Sequence, residues 1–424
     1  MISPARKAAV SAMRTWRQRG MIEIPACEHR EDTHLAERIV QGVLQNERFL
    51  EYCLSQFIPS GINKLHPQIQ DLFKISAYQI LFLDRIPDSA AVHDAVSLCQ
   101  AGKAAYSAGF VNAVLRNLVK QKTQLISLDI PAAVRFSHPD WLVERLLHHY
   151  DPEFVLDFLE SNQKIPTLRL QINTHRCSVS DFLTMLERGG FKILSVNSLL
   201  SSIEISGTEV PMIPGYSEGF FYIQDDAART AVRIAGIGPG MKVLDACAAP
   251  GGKSIAATLD GGDVTARDIN ERRMKRCHEN FKRMKLNITA EIADATVCIP
   301  SEQGQYNVVL ADVPCSGTGV IRKHPEIRYR TEAEVKELTI LQRAIFNNLS
   351  RSVSPGGVLL YSTCSVLPEE NEEQVETFLN THKEFVLEPV SAEGFSCENG
   401  MLRSWPNLNA NDGFFAAKIR RKND

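Results

Sequence analysis

Residues 242–254 read Lys242-Val243-Leu244-Asp245-Ala246-Cys247-Ala248-Ala249-Pro250-Gly251-Gly252-Lys253-Ser254. A short apolar run ending at an acid, then small residues, a proline and two glycines, reads as a buried strand, a tight loop and a helix over Ser254–Thr258. The pattern repeats downstream. Asp263–Arg267 is a second strand ending at Asp268, and Asn270 caps a basic helix that reaches Lys285. Thr289–Ala293 ends at Asp294, Tyr306–Ala311 at Asp312, and Gly357–Ser362 near Cys364. Strands alternating with helices predict a parallel, doubly wound α/β sheet over 223–424. Ligands of such sheets sit beyond the carboxyl ends of the strands. Here that rim carries four acidic residues and a thiol.

Working outward, the chain before this sheet divides in two. Up to about Gln124 apolar residues recur at helical spacing, as in Leu72, Ile75, Tyr78, Leu81 and Phe82, with turns at Pro59-Ser60-Gly61, His66-Pro67 and Pro87-Asp88. This predicts an all-helical domain over 1–127. Residues 128–222 mix signals. Pro139 opens a helix, Thr167–Asn173 alternates like a strand, Ser180 caps a helix through Arg188, and strand-like runs follow at Ile203–Ile205 and Phe220–Ile223. That stretch predicts a small α+β module.

The 424 residues are 44% hydrophobic and 23% charged, an ordinary globular composition. No apolar run approaches the roughly 20 residues that span a bilayer. The basic start, MISPARKAAVSAMRTWRQRG, lacks the compact apolar core of a signal peptide and is read as a domain helix rather than a transit peptide. A formal charge of −3 excludes nucleic-acid binding by bulk charge, although not by a local basic groove. The 10 cysteines are scattered singly, without CxxC or paired Cys/His spacing, so neither a disulfide framework nor a metal site is expected. Free thiols fit a cytoplasmic protein.

Two common readings of the 245–254 loop fail. A Walker loop needs glycine where Cys247 stands, and Pro250 interrupts the dinucleotide pattern. A plain strand-to-helix turn is the bland alternative. Asp268 suits a ribose diol, since a carboxylate accepts two hydrogen bonds, and Asp294 suits an exocyclic amine, although either acid also serves as a helix or turn cap. Together they describe an adenosine site without a phosphate requirement, which S-adenosylmethionine fits. The fourth and fifth strands run into polar loops carrying Cys315 and Cys364 on the same rim. A thiolate beside a methyl donor has a use on cytosine, because addition at carbon 6 makes carbon 5 nucleophilic. Asp312 is placed to hydrogen-bond near ring nitrogen 3. Residue chemistry alone does not choose between the two cysteines.

The strings DACAAPGGKS (245–254), DVPCSGTGVIRKHPEI (312–327) and YSTCSVLPEENE (361–372) closely resemble the motifs of the RNA 5-methylcytosine methyltransferases. AYQILFLDRIPDSAAVHDAV (77–96) and FVNAVLRNLV (110–119) resemble a NusB-like helical domain, and DGFFAAKIRR (412–421) a closing strand, which narrows the resemblance to the RsmB (Fmu/Sun) family. The resemblance implies a NusB-like RNA-binding domain, a small α+β linker or RNA-binding module, and a Rossmann-like class I S-adenosylmethionine-dependent methyltransferase domain. It implies that Cys247, Ala248, Ala249, Pro250, Gly251, Gly252 and Lys253 line the cofactor, with Asp268 on the ribose, Asp294 on the adenine side and Asp312 between cofactor and base. It further implies Cys364 as nucleophile and Cys315 as an aid to product release. The partner it implies is small-subunit ribosomal RNA, not DNA or a membrane, acted on by a monomer.

Arg267 departs from the apolar residue usual before Asp268. RNA binding by a chain of charge −3 needs local cations. Two clusters offer them: Arg272, Arg273, Lys275, Arg276, Lys282, Arg283 and Lys285 on one helix, and Arg322, Lys323, His324, Arg328 and Arg330 after the Pro-Cys motif. The second cluster is expected to meet phosphates. Methylation of transfer RNA, or a non-catalytic ribosome assembly role, are the competing functions. A binding module would need none of Cys364, Cys315 and Asp312, whereas only the helical domain disfavours transfer RNA.

Overall fold

The computed structural model describes residues 2–409 and 411–423, which group into two compact units, 1–163 and 164–424. The first unit is helical: α1 (Pro4–Arg19), α2 (Arg30–Ser55), α3 (Pro67–Phe82), α4 (Asp88–Gln100), α5 (Ala108–Lys120), α6 (Lys122–Ile126), α7 (Ala132–Arg135), α8 (Asp140–His149) and α9 (Pro152–Ser161). Proline opens α1, α3 and α9, where its missing N–H costs nothing. The small face of α1 (Ala5, Ala9, Ala12) lets it approach α2 and α3 closely, and α3 is buried along most of its length. Two polar groups in this core are paired: Arg6 with Asp94 at 2.6 Å and Lys74 with Glu51 at 2.7 Å. Residues 128–163 group with this unit, so the expected middle segment contributes α7 to α9 here and its remaining helix and its strands to the second unit.

The second unit begins with β1 (Leu168–Ile172), α10 (Val179–Arg188), β2 (Ile193–Asn197), β3 (Ser202–Ile205) and β4 (Phe221–Ile223), an antiparallel sheet of order β2-β3-β1-β4. Ser178, not Ser180, caps α10, accepting from Asp181 N at 3.1 Å. The small sheet is tied to the rest of the unit by α11 (Asp226–Ile234): Asp226 accepts from Gln171 and Ser202, each at 2.7 Å.

The large sheet is built from β5 (Lys242–Asp245), α12 (Gly252–Leu259), β6 (Asp263–Asp268), α13 (Glu271–Met284), β7 (Thr289–Ile292), β8 (Tyr306–Asp312), α14 (Glu332–Leu349), β9 (Val353–Thr363), α15 (Glu372–Thr381), β10 (Phe385–Leu387), β11 (Ser396–Glu398), β12 (Met401–Ser404), α16 (Pro406–Asn409) and β13 (Phe414–Arg421). Its order is β11-β12-β13-β9-β8-β5-β6-β7, with β10 on β13, and β5 to β9 are parallel. Strand order reverses between β5 and β8, so the crevice where ligands settle opens at the ends of these two strands. β13 enters antiparallel beside β9. Apolar runs bury β5, β8 and β9 on both faces, as parallel strands require. β9 starts earlier than its apolar run suggests, because Pro355 and Gly356 lie within it. Arg267 is accommodated by its neighbours: it pairs with Glu291 on the adjacent β7 and with Glu302.

A candidate active site at the carboxyl rim of the sheet

A cavity of about 670 Å³ opens at the rim, lined by Cys247, Ala249, Lys253, Asp268, Asp294, Asp312, Cys315 and Cys364. Strand register explains the company. β5, β6 and β8 end at Asp245, Asp268 and Asp312, and Asp312 pairs with Ser362 of β9, two residues before Cys364. Ala248, Pro250, Gly251 and Gly252 do not line the cavity; they shape the loop beneath it. Gly251 has φ +101°, and a Cβ there would meet Phe281 at 2.7 Å. That turn starts α12 at Gly252, ahead of the expected Ser254.

On the cofactor side Asp268 is 3% exposed and accepts from Arg273 at 2.8 Å and Asn270 N at 2.9 Å. Asp294 is exposed and accepts from Thr296 N and Oγ1 at 2.8 and 2.7 Å, bonds that hold its carboxyl below the usual range. Asp245 is fully buried. Ser254 Oγ donates to its Oδ2 at 2.6 Å, its Oδ1 has no hydrogen-bond partner, and burial above all pushes its pKa up to about 7. The two cations on the lining nearest this loop, Lys253 and Arg273, are already paired with Asp312 and Asp268. A set of lining carboxylates with engaged cations fits an adenosine carrying a positive amino-acid tail, and does not fit a polyphosphate.

On the substrate side the Lys253 ammonium lies 2.7 Å from Asp312 and 5.0 Å from the centre of the Phe414 ring. Burial opposes its charge, but the Asp312 carboxylate outweighs that and raises its pKa. Ser362 Oγ donates to Asp312 Oδ1 at 2.9 Å. The sulfurs of Cys315 and Cys364 are 3.2 Å apart, in contact. The Cys315 thiol is pushed well above its usual range, first by its hydrogen bond with Cys364 and then by burial.

Three members of the basic cluster after the Pro-Cys motif are not arranged for phosphates, whereas His324 and Arg330 line the cavity. Arg322 has an 8% exposed side chain paired with Asp412 at 3.2 Å, Lys323 lies 2.7 Å from Asp412 and 3.6 Å from Asp225, and Arg328 is buried. The charges of Arg322 and Lys323 balance Asp412 and Asp225, and burial, then the nearby Asp412, lifts Asp225 to about 6. On α13, Arg283 donates to Tyr216 O and Phe221 O, while Arg272, Lys275, Arg276, Lys282 and Lys285 are exposed. Sequence reasoning missed Asp225, Asp412 and Phe414, which also line the cavity. The strings Gln224-Asp225-Asp226 and Asn411-Asp412-Gly413-Phe414 carried that signal only as acids flanking short strands.

Family comparisons agree with this architecture segment by segment. Residues 3–120 match the NusB family, 138–210 the ferredoxin-like domain of RsmF/B-like methyltransferases, and 237–420 the 16S rRNA methyltransferase RsmB/F family. The fold is therefore a NusB helical domain, a ferredoxin-like module and a Rossmann-like S-adenosylmethionine-dependent methyltransferase domain, and the cofactor is S-adenosylmethionine. No helix among the described residues is long and apolar enough to cross a membrane. Among solved structures, a protein titled PH0851 shares the fold at TM-score 0.82 with 24% identity over 99% of each chain. NSun6 from Pyrococcus horikoshii, solved with SFG, matches at TM-score 0.59 and 20% identity over 68% of this chain and 99% of its own. The ribosomal RNA small subunit methyltransferase B of Klebsiella pneumoniae is 33% identical over 401 residues, 92% of this chain and 91% of the relative. That of Pasteurella multocida is 34% identical over 413 residues, 94% of this chain and 91% of the relative, and the chain belongs to this family of ribosomal RNA small subunit methyltransferases B.

Proposed function

We propose that this protein methylates carbon 5 of a cytosine in 16S ribosomal RNA through a covalent bond between Cys364 and the base. The observation that carries the reading is the contact of the two rim thiols, 3.2 Å apart, beside the Lys253–Asp312 pair. A thiolate at Cys364 adds to carbon 6, so the S–C6 bond forms and the C5=C6 π electrons move to carbon 5. Bound S-adenosylmethionine supplies an electrophilic methyl group, held by Asp268 and the loop from Cys247 to Lys253, with Asp294 on the adenine side. Asp312, paired with Lys253, accepts from the cytosine edge and holds the flipped base in register. Release needs the carbon 5 proton to pass to a base. The C5=C6 bond then re-forms, the S–C6 bond breaks and the thiolate returns. We assign assistance in that step to Cys315.

The domain division 1–127, 128–222 and 223–424 goes with this reading, with the helical and middle parts as RNA-binding elements and the protein acting as a cytoplasmic monomer. Touching thiols speak against a non-catalytic assembly factor, which has no use for them. Mass spectrometry of 16S ribosomal RNA from cells lacking the protein tests the substrate. One 5-methylcytosine should vanish, and an unchanged complement would overturn the assignment.

A further inference from the structure

Two thiols in contact share one environment, so something must decide which of them ionises. The Glu370 side chain is fully buried behind them, in the Pro-Glu-Glu-Asn segment that follows Cys364. It accepts from Ser316 N at 2.8 Å, Ser316 Oγ at 2.5 Å and Gln342 Nε2 at 2.9 Å. Three donors on two oxygens suit a carboxylate, which only accepts. Among the described residues no ion pair neutralises it. Ser316 directly follows Cys315, so this charge is fastened to the Cys315 loop. The neighbouring Asn371 holds the other loop, accepting from Thr363 at 2.5 Å and donating to Ser365 O at 3.0 Å.

We propose that Glu370 is a positioning residue that selects the nucleophile: its buried carboxylate locks the Cys315 loop and reserves the thiolate for Cys364. Cys364, Glu370, Asp312 and Tyr361 face Cys315, and the first three disfavour a negative charge there. Both sulfurs line the cavity with the Lys253 ammonium, but the Glu370 carboxylate is hydrogen-bonded to the residue that follows Cys315. The inference rests on the reading of Cys364 as nucleophile.

The test is iodoacetamide labelling of the full-length protein across pH, with each cysteine followed by its own peptide in mass spectrometry. In the wild type Cys364 should label faster than Cys315 throughout the neutral range. Glu370→Gln keeps the volume but turns an amide donor toward the donors of Ser316 and Gln342 and removes the charge. The Cys364-to-Cys315 labelling ratio should then fall about tenfold or more. kcat should fall with little change in KM for RNA, its pH profile should shift, and Glu370→Asp should restore the labelling order. A Glu370→Gln protein that is slower but keeps the wild-type labelling order would mean that Glu370 only fills space, and would overturn the proposal. Should Glu370→Gln not fold, the wild-type measurement still decides, because faster labelling of Cys315 than Cys364 contradicts it. Failure of the underlying reading looks different: Cys364→Ala would then still methylate RNA.

Discussion

Replacing Gly319 by alanine should disable the site from a position that touches neither cofactor nor base. Gly319 lies where the loop after Cys315 crosses the chain entering β13. Its N–H donates to Cys364 O at 2.9 Å, and its carbonyl accepts from Gly413 N at 2.8 Å. A Cβ at 319 would stand 2.1 Å from Gly413 O and 2.7 Å from Gly413 Cα, both backbone atoms. Ordinary carbon contacts begin near 3.5 Å, so the two segments must part by about 1 Å. Overpacking of this kind costs about 1–3 kcal/mol, and losing the Gly413 bond adds about 1 kcal/mol. The sum, about 3 kcal/mol, should lower the melting midpoint of the second unit by about 6–12 °C. The same displacement moves the Cys364 carbonyl and the Cys315 loop, and a 1 Å misplacement of reacting groups costs about 100-fold in rate. Calorimetric melting and single-turnover methylation at saturating RNA read both effects, while S-adenosylmethionine affinity should stay within about twofold, since Asp268 is untouched. A melting point within about 1 °C of wild type with an unchanged rate would refute the argument that this crossing sets the thiol geometry.

Three further outcomes are expected from the same geometry. Asp268→Ala removes the acceptor at the end of β6 and should weaken cofactor binding about tenfold or more by titration calorimetry; equal affinity would place the ribose elsewhere. Asp245 holds its proton in the native state up to about pH 7 against a usual 3.8, so the native protein binds more protons than the unfolded chain in that window and loses stability as pH rises through it. The stability advantage of Asp245→Asn over wild type, from denaturant melts, should thus be larger at pH 8 than at pH 5, and an advantage that does not grow would mean that Asp245 ionises normally. Replacing the exposed Arg272, Lys275 and Arg276 by alanine should flatten the salt dependence of RNA binding by about 0.7 per lost phosphate contact, whereas an unaltered slope would make α13 a merely solvated face.

The large sheet was legible because four of its five parallel strands lead to an acid and the fifth to a thiol, and the loop from Asp245 to Ser254 could not be read as a phosphate loop. Both thiols were legible for a related reason: two cysteines in polar loops at adjacent strand ends do not look like core residues. What escaped is what pairing decides. Arg322, Lys323 and Arg328 look like a phosphate clamp in sequence, but Asp412, the partner of Arg322 and Lys323, lies 90 residues from Arg322 and only the fold brings them together, while Arg328 is buried and donates to Ile321 O. Arg283 and Arg267 are likewise taken out of the solvent by Tyr216, Phe221, Glu291 and Glu302. The start of α10 differs from the sequence expectation by two residues because Ser178 and Ser180 are equally good caps by type, and only the bond to Asp181 distinguishes them. Glu370 gave no signal, since a glutamate among glutamates and an asparagine reads as surface.

The division of labour between the two thiols is decided most directly by denaturing electrophoresis of the protein with its RNA and S-adenosylmethionine. Cys315→Ala should still attack but release slowly, so a protein–RNA adduct should accumulate with ordinary RNA. Cys364→Ala should give neither adduct nor methyl transfer, even on RNA carrying 5-fluorocytosine, where elimination is blocked. An adduct with Cys364→Ala and none with Cys315→Ala would make Cys315 the nucleophile and contradict the account.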